Sequence, residues 1–271
     1  MKRTSQMKHY TRTALLVVFT SIAILSCRSA DPSADISRTP ELWSVLGKSA
    51  AGQPIYYYEH SPGGHGKSSS PGVVTEQESP GDDVVLVIGC THGDEQVTGQ
   101  VVIRLAEWIA QQKPDSLKST ILFVPILNPD GAAKGTRANA HGVDINRNFP
   151  TKNWSPVATK DRYPPGPSPA SEPETQLVLE LLSRYNPKLI VSIHAALHMI
   201  NYDGPAKDIA NRMATFNGYR VSDSIGYPTP GSLGTYAGVE RSIPIITLEL
   251  PAVGVDEAWQ QNRDALLEAL R

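Results

Sequence analysis

Only two cysteines, Cys27 and Cys90, occur in 271 residues. Neither a disulfide framework nor a multi-cysteine metal site can be built from them. The fold must therefore stand on its core, for which the 40% of apolar residues are sufficient. Charge is also sparse: 19% of residues are Asp, Glu, Lys or Arg, against about 25% in ordinary domains. The 25 basic and 27 acidic residues leave a net charge of −2, which excludes the strongly basic surface of a general nucleic-acid binder. The most prominent apolar run, Thr13 to Ser26, has 14 residues. A membrane-spanning helix needs about 20. The chain also lacks His-Glu-x-x-His, Gly-x-Ser-x-Gly and the Gly-x-x-x-x-Gly-Lys phosphate loop. No internal repeat is present.

That short run follows Lys2, Arg3, Lys8 and Arg12 with no acid among them. Basic flank plus short apolar run is the pattern of a secretory signal. It ends in Leu25-Ser26-Cys27, which resembles the lipobox of bacterial lipoproteins. Residues 1–27 are therefore expected to be a signal peptide with lipobox, lipidated on Cys27. An uncleaved signal anchor, or an ordinary signal cleaved nearby, is the alternative. Residues 28–40 read as a flexible tether and 41–271 as one folded domain. The protein is expected to be exported and periplasm-facing, with a membrane as partner through its anchor. Arg28 after the cysteine favours the outer membrane. Removing the leader takes away four positive charges and leaves a net of −6. Cys90 then has no intrachain thiol partner and reads as a small buried residue.

Glycine and proline number 21 and 22, so loops are long. Residues 60–82 form one such Gly/Ser/Pro loop. Strands are expected at 53–59, 84–90, 119–126, 188–195 and 243–250. Helices are expected at 95–112, 171–185, 206–217 and 256–271. Ser171 and Glu174 fit a capping box at the start of the second helix. Unbroken apolar strands alternating with helices indicate an α/β domain. The expected architecture is a three-layer α/β/α domain with a mixed, largely parallel central sheet.

Three apolar strands run into groups that carry chemistry. VVLVIGC leads into Thr91-His92-Gly93-Asp94-Glu95; KLIVSIHA carries His194 and IPIITLEL carries Glu249, each next to last. Open α/β sheets build their sites at the carboxyl ends of strands. Two histidines and a glutamate make a zinc set that leaves the fourth position open, as catalysis requires.

The ordered series THGDE (91–95), NPDG (128–131), GTRAN (135–139), GVDINRNFP (142–150), SEPET (171–175), SIHA (192–195) and TLELP (247–251) resembles the zinc carboxypeptidases of the carboxypeptidase A fold. NYDGPA (201–206) and GYPTPGSLG (226–234) add a likeness to the bacterial murein peptide amidases, which cut the γ-D-glutamyl–meso-diaminopimelate bond. The resemblance implies one zinc per chain, held by His92, Glu95 and His194, with Asp144 orienting the first histidine. It implies Glu249 as general base and Arg137 as oxyanion stabiliser. Asn146 and Arg147 match the pair that binds the terminal carboxylate. Tyr227 matches the hydroxyl donor by spacing, with Tyr236 as the alternative. Asp203 is either a turn residue or a contact for the extra ammonium of diaminopimelate. His198 reads as packing, and His60, His65 and His141 are given no chemistry. The implied partner is a peptidoglycan peptide; no protein partner is indicated. Amidases of this type are often cytoplasmic, so the export signal is a departure. Other readings stay open: a carboxypeptidase on other peptides, a zinc amidase of N-acyl amino acids, or a lipoprotein that only binds wall peptides.

Overall fold

The computed structural model describes residue 36 and residues 39–62, 83–112 and 117–271. The signal peptide with Cys27, the tether apart from residues 36, 39 and 40, the loop from 63 to 82 and His65 lie outside the described residues. Among those described, no helix is long and apolar enough to cross a membrane.

Eight strands form one sheet: β1 (Ser44–Lys48), β2 (Pro54–His60), β3 (Val84–Ile88), β4 (Thr120–Val124), β5 (Leu189–Ala195), β6 (Met199–Asp203), β7 (Arg220–Ser222) and β8 (Ile245–Leu250). Their order is β1-β2-β4-β3-β5-β8-β6-β7. The central four, β4-β3-β5-β8, are parallel, and antiparallel pairs join β1 to β2, β2 to β4 and β6 to β8. The architecture is thus the mixed, largely parallel α/β sheet read from the sequence. Among the described residues, five α-helices complete it: α1 (Gln96–Gln112), α2 (Pro129–Lys134), α3 (Pro173–Tyr185), α4 (Lys207–Asn217) and α5 (Val255–Ala269).

The period of two along the strands divides the core. Val85 and Val87 of β3 join Ile103, Leu105 and Ile109 of α1, Met213 of α4 and Leu266 of α5. Val84, Leu86 and Ile88 point the other way, to Val178, Leu181 and Leu182 of α3 and to Phe149. All five residues of β3 are buried, which is why its run is unbroken rather than alternating.

Three strands escape the sequence reading. β1 (SVLGK) and β6 (MINYD) mix polar and apolar residues, and β7 has only three residues. The Ser171–Glu174 capping box is also corrected. The N-cap of α3 is Glu172, without a side-chain cap bond. Ser171 instead donates to Glu172. Glu174 accepts from the Ala50 amide at 2.9 Å and from Asn139 Nδ2 at 3.0 Å. Tertiary donors took the carboxylate that a local cap would have used.

The topology decides where the site forms. From β3 the chain crosses to β4 on one side and later returns to β5 on the other. The gap beyond the carboxyl ends of β3 and β5 is a switch point, where such sheets bind ligands. The turn after β3 packs on the Asn128–Gly131 turn so closely that a Cβ on Gly93 would overlap the Gly131 backbone. Overpacking of this kind costs about 1–3 kcal/mol or more. Gly93→Ala is therefore expected to lower the thermal midpoint by several degrees or more in calorimetry.

Candidate active site

His92 and Glu95 sit in the turn between β3 and α1. Glu95 N bonds His92 O at 3.1 Å, and Thr98 caps the turn through its hydroxyl to Glu95 O at 2.7 Å. His194 lies in β5, in parallel register with Glu249 of β8. His92 Nδ1 is 2.8 Å from Glu95 Oε1, His194 Nδ1 is 3.0 Å from Glu95 Oε2, and the two Nδ1 atoms are 3.2 Å apart. A tetrahedral zinc with bonds of roughly 2.0–2.2 Å needs ligand atoms about 3.3 Å apart. The three buried residues thus fit one metal ion, and they form a group able to hold one.

Each histidine is held from behind. His92 Nε2 lies 3.3 Å from Asp144 Oδ1, and His194 Nε2 lies 3.1 Å from Ser192 Oγ. Asp144 is fully buried. It also accepts from Arg137 Nε at 2.8 Å and from the Asn146 amide at 3.0 Å. Burial alone would lower the pKa of His92, but the charges of Glu95 and Asp144 push it up to about 9. Burial would raise Glu95 and Asp144, yet the neighbouring cations hold both well below the usual carboxylate range.

Glu249 is buried, with Oε2 unpartnered. Burial pushes its pKa up, and the Glu95 charge adds to this. Arg137 Nη1 lies 3.5 Å from Glu95 Oε1. Asn146 Oδ1 accepts from Leu233 N at 2.9 Å, which fastens the 229–235 segment beside it. Arg147 Nη1 donates to Asn146 O at 2.6 Å, while its buried Nε has no partner.

These residues line one cavity of about 360 Å³. Arg137, Arg147 and Arg162 supply positive charge to it; Asp203 and Asp223 supply negative charge. Across the β6–β8 pair, Met199 faces Glu249 and Asp203 faces Ile245. Asp203 is thus about 13 Å along the strand from the level of the glutamate. Gly234 leaves room for its carboxylate. Burial and the nearby Asp223 push its pKa up to about 6.

Among the remaining expectations, Tyr227 lines the cavity. Tyr236 instead packs on Phe149 with Arg241 3.3 Å over its ring. His198 packs edge-on against Tyr219 at 4.3 Å. His141 meets Glu172 at 2.8 Å, and His60 ends β2. Cys90 is buried, its sulfur 3.5 Å from His92 O. The sequence reading missed Tyr163, Arg162 and Asp223, which also line the cavity. None lies in a motif. The one signal for Tyr163 is an aromatic set before Pro164 and Pro165 between two motifs.

A parallel-sheet switch point carrying two imidazoles, a carboxylate and a buried glutamate with one unpartnered oxygen fits a zinc-dependent peptidase. The chain belongs to the zinc carboxypeptidase family, whose model matches residues 35–254, and it is a zinc metallopeptidase. It is 32% identical over 237 residues to murein peptide amidase A of Vibrio campbellii, covering 83% of this chain and 86% of that protein. It is 30% identical over 251 residues to murein peptide amidase A of Escherichia coli K12, covering 89% and 94%. The crystal structure of the murein-tripeptide amidase from Escherichia coli O157 superposes with a TM-score of 0.65 at 27% identity, covering 84% and 91%. Carboxypeptidase A from Helicoverpa armigera shares the fold, with a TM-score of 0.69 at 20% identity over 88% of this chain and 70% of that one.

Partners behind a metal ligand typically contribute 10–100-fold in affinity. Asp144→Asn is expected to weaken zinc binding by about that factor, read by competition with a chromogenic chelator.

Proposed function

We propose that the protein hydrolyses cell-wall peptides at the γ-D-glutamyl–meso-diaminopimelate bond. The observation that carries this reading is the charge layout of one cavity. Guanidinium groups lie beside the metal triad and two carboxylates lie farther along. A residue with a terminal carboxylate and an ammonium on its side chain complements that layout, and meso-diaminopimelate has both. The likeness to murein peptide amidases supports the same substrate.

His92, Glu95 and His194 would hold the zinc. When bound, zinc supplies a Lewis acid for the scissile carbonyl and makes water acidic enough to attack at neutral pH. Glu249 takes the proton of the attacking water and passes it to the leaving nitrogen. Its unpartnered buried Oε2 and raised pKa suit that shuttle. Arg137, fixed by Asp144, stabilises the oxyanion. Asn146 and Arg147 take the terminal carboxylate, and the open Nε of Arg147 suits a bidentate anion. Tyr227 is the hydroxyl donor. Asp203 meets the ammonium of the side chain.

The test is release of diaminopimelate from L-Ala-γ-D-Glu-meso-diaminopimelate by zinc-loaded protein. Glu249→Gln is expected to cut kcat by about 10²–10⁴-fold with zinc still bound. Asp203 is charged above pH 6 and neutral below it. Preference for diaminopimelate over an apolar residue is therefore expected to fall as pH drops through that value, and to vanish in Asp203→Asn. No release by zinc-loaded protein would move the substrate elsewhere within the family.

The lipid on Cys27 belongs to the same proposal, supported by the basic flank and apolar run before it. It predicts membrane-bound protein with added acyl mass on its N-terminal peptide. Cys27→Ser is expected to lose that mass and the membrane fraction together.

A further inference from the structure

Tyr163 lies outside every motif of the sequence, yet its ring is central to the cavity wall. The Cζ atoms of Arg137 and Arg147 lie 4.9 and 4.8 Å from its centroid. Tyr227 stacks on it with centroids 6.2 Å apart and planes 6° apart. Two guanidiniums of like charge thus share one aromatic ring.

The two arginines differ in what else holds them. Arg137 has the carboxylates of Asp144 and Glu95. Arg147 makes no ion pair among the described residues. Its Nη1 reaches only the carbonyl of its neighbour Asn146, and its Nε is unpartnered. Burial, with the charge of Arg137, also works against its cation. A long side chain in that situation needs a rigid surface to keep one rotamer. An aromatic face supplies it, and attracts the cation as well.

The ring itself is well placed to be rigid. Tyr163 N bonds Lys160 O at 2.8 Å. The next two residues are prolines, which restrict the backbone. Asp144 N donates to Pro164 O at 2.8 Å, and Asn148 Nδ2 donates to Pro165 O at 2.8 Å. The segment that presents Tyr163 is therefore tied to the segment that carries Arg147.

We propose that Tyr163 is the positioning residue of the carboxylate clamp: its ring holds the Arg147 guanidinium toward the cavity. The proposal rests on the reading of Arg147 as the ligand of the terminal carboxylate. The ring, not the hydroxyl, is the working part.

The experiment uses the zinc-loaded full chain and two readouts. With L-Ala-γ-D-Glu-meso-diaminopimelate, Tyr163→Leu is expected to raise KM at least 5-fold, and by more than it lowers kcat through Tyr227 and Arg137 on the same ring. Tyr163→Phe is expected to restore KM to within 2-fold of the wild type. In an Arg147→Ala background, Tyr163→Leu should add less than 2-fold, since groups acting through one another are not additive. A merely structural role would lower zinc affinity and the thermal midpoint, and would cost as much in either background. The second readout needs no turnover. The Arg147 Nε–H resonance in labelled protein should be shifted by the ring current in wild type and Tyr163→Phe, and move to its random-coil position in Tyr163→Leu. Tyr163→Met serves if the leucine variant does not fold. If wild type fails to cleave the tripeptide, the substrate reading fails while the resonance still decides Tyr163. An unmoved Arg147 resonance in the aliphatic variant, or a full effect of it without Arg147, would overturn the proposal.

Discussion

The carboxylate of Asp144 is fully buried, and much of the site depends on it. A buried charge is costly unless it is paired and hydrogen-bonded. Asp144 meets that requirement with His92, Arg137 and the amide of Asn146. One residue thus fixes His92, Arg137 and the short turn that presents Asn146 and Arg147. Its bonds to ionised partners are of the stronger kind. The geometry is cooperative: removing the carboxylate would leave Arg137 without its main counter-charge and His92 with Glu95 alone.

The sheet supplies the stage on which that carboxylate works. Parallel β3, β5 and β8 end at one edge, so His92, His194 and Glu249 arrive together although far apart in sequence. The antiparallel turn of β6 against β8 then extends the same face away from the metal. Asn201, Asp203 and Thr247 line that extension. The His92–Glu95–His194 cluster sits where the strands end, and the cavity runs back along them.

Much of this was legible in the sequence because its signals are local. Apolar runs such as VVLVIGC and IPIITLEL mark strands buried on both faces, and the polar residues that end them mark the site. β1, β6 and β7 were not legible, because short strands of mixed polarity have no distinguishing period. The capping box misled because Glu174 found better donors in Ala50 and Asn139, a choice that only tertiary structure reveals. Tyr163 and Asp223 escaped for the same reason. A loop residue acquires its role from what is packed next to it, and no spacing rule encodes that.

The separation of the metal ligands has a further consequence for the chain as a polymer. His92 and His194 are 102 residues apart, and a chain with two cysteines has no disulfide network to restrict its unfolded ensemble. The unfolded chain does not hold the two rings together, so a metal ion on both would bind the folded state alone. Zinc between these histidines would add its binding free energy to folding stability, a staple this sequence otherwise lacks. The ion that would equip the enzyme for catalysis would also tie the turn after β3 to β5 in the folded chain.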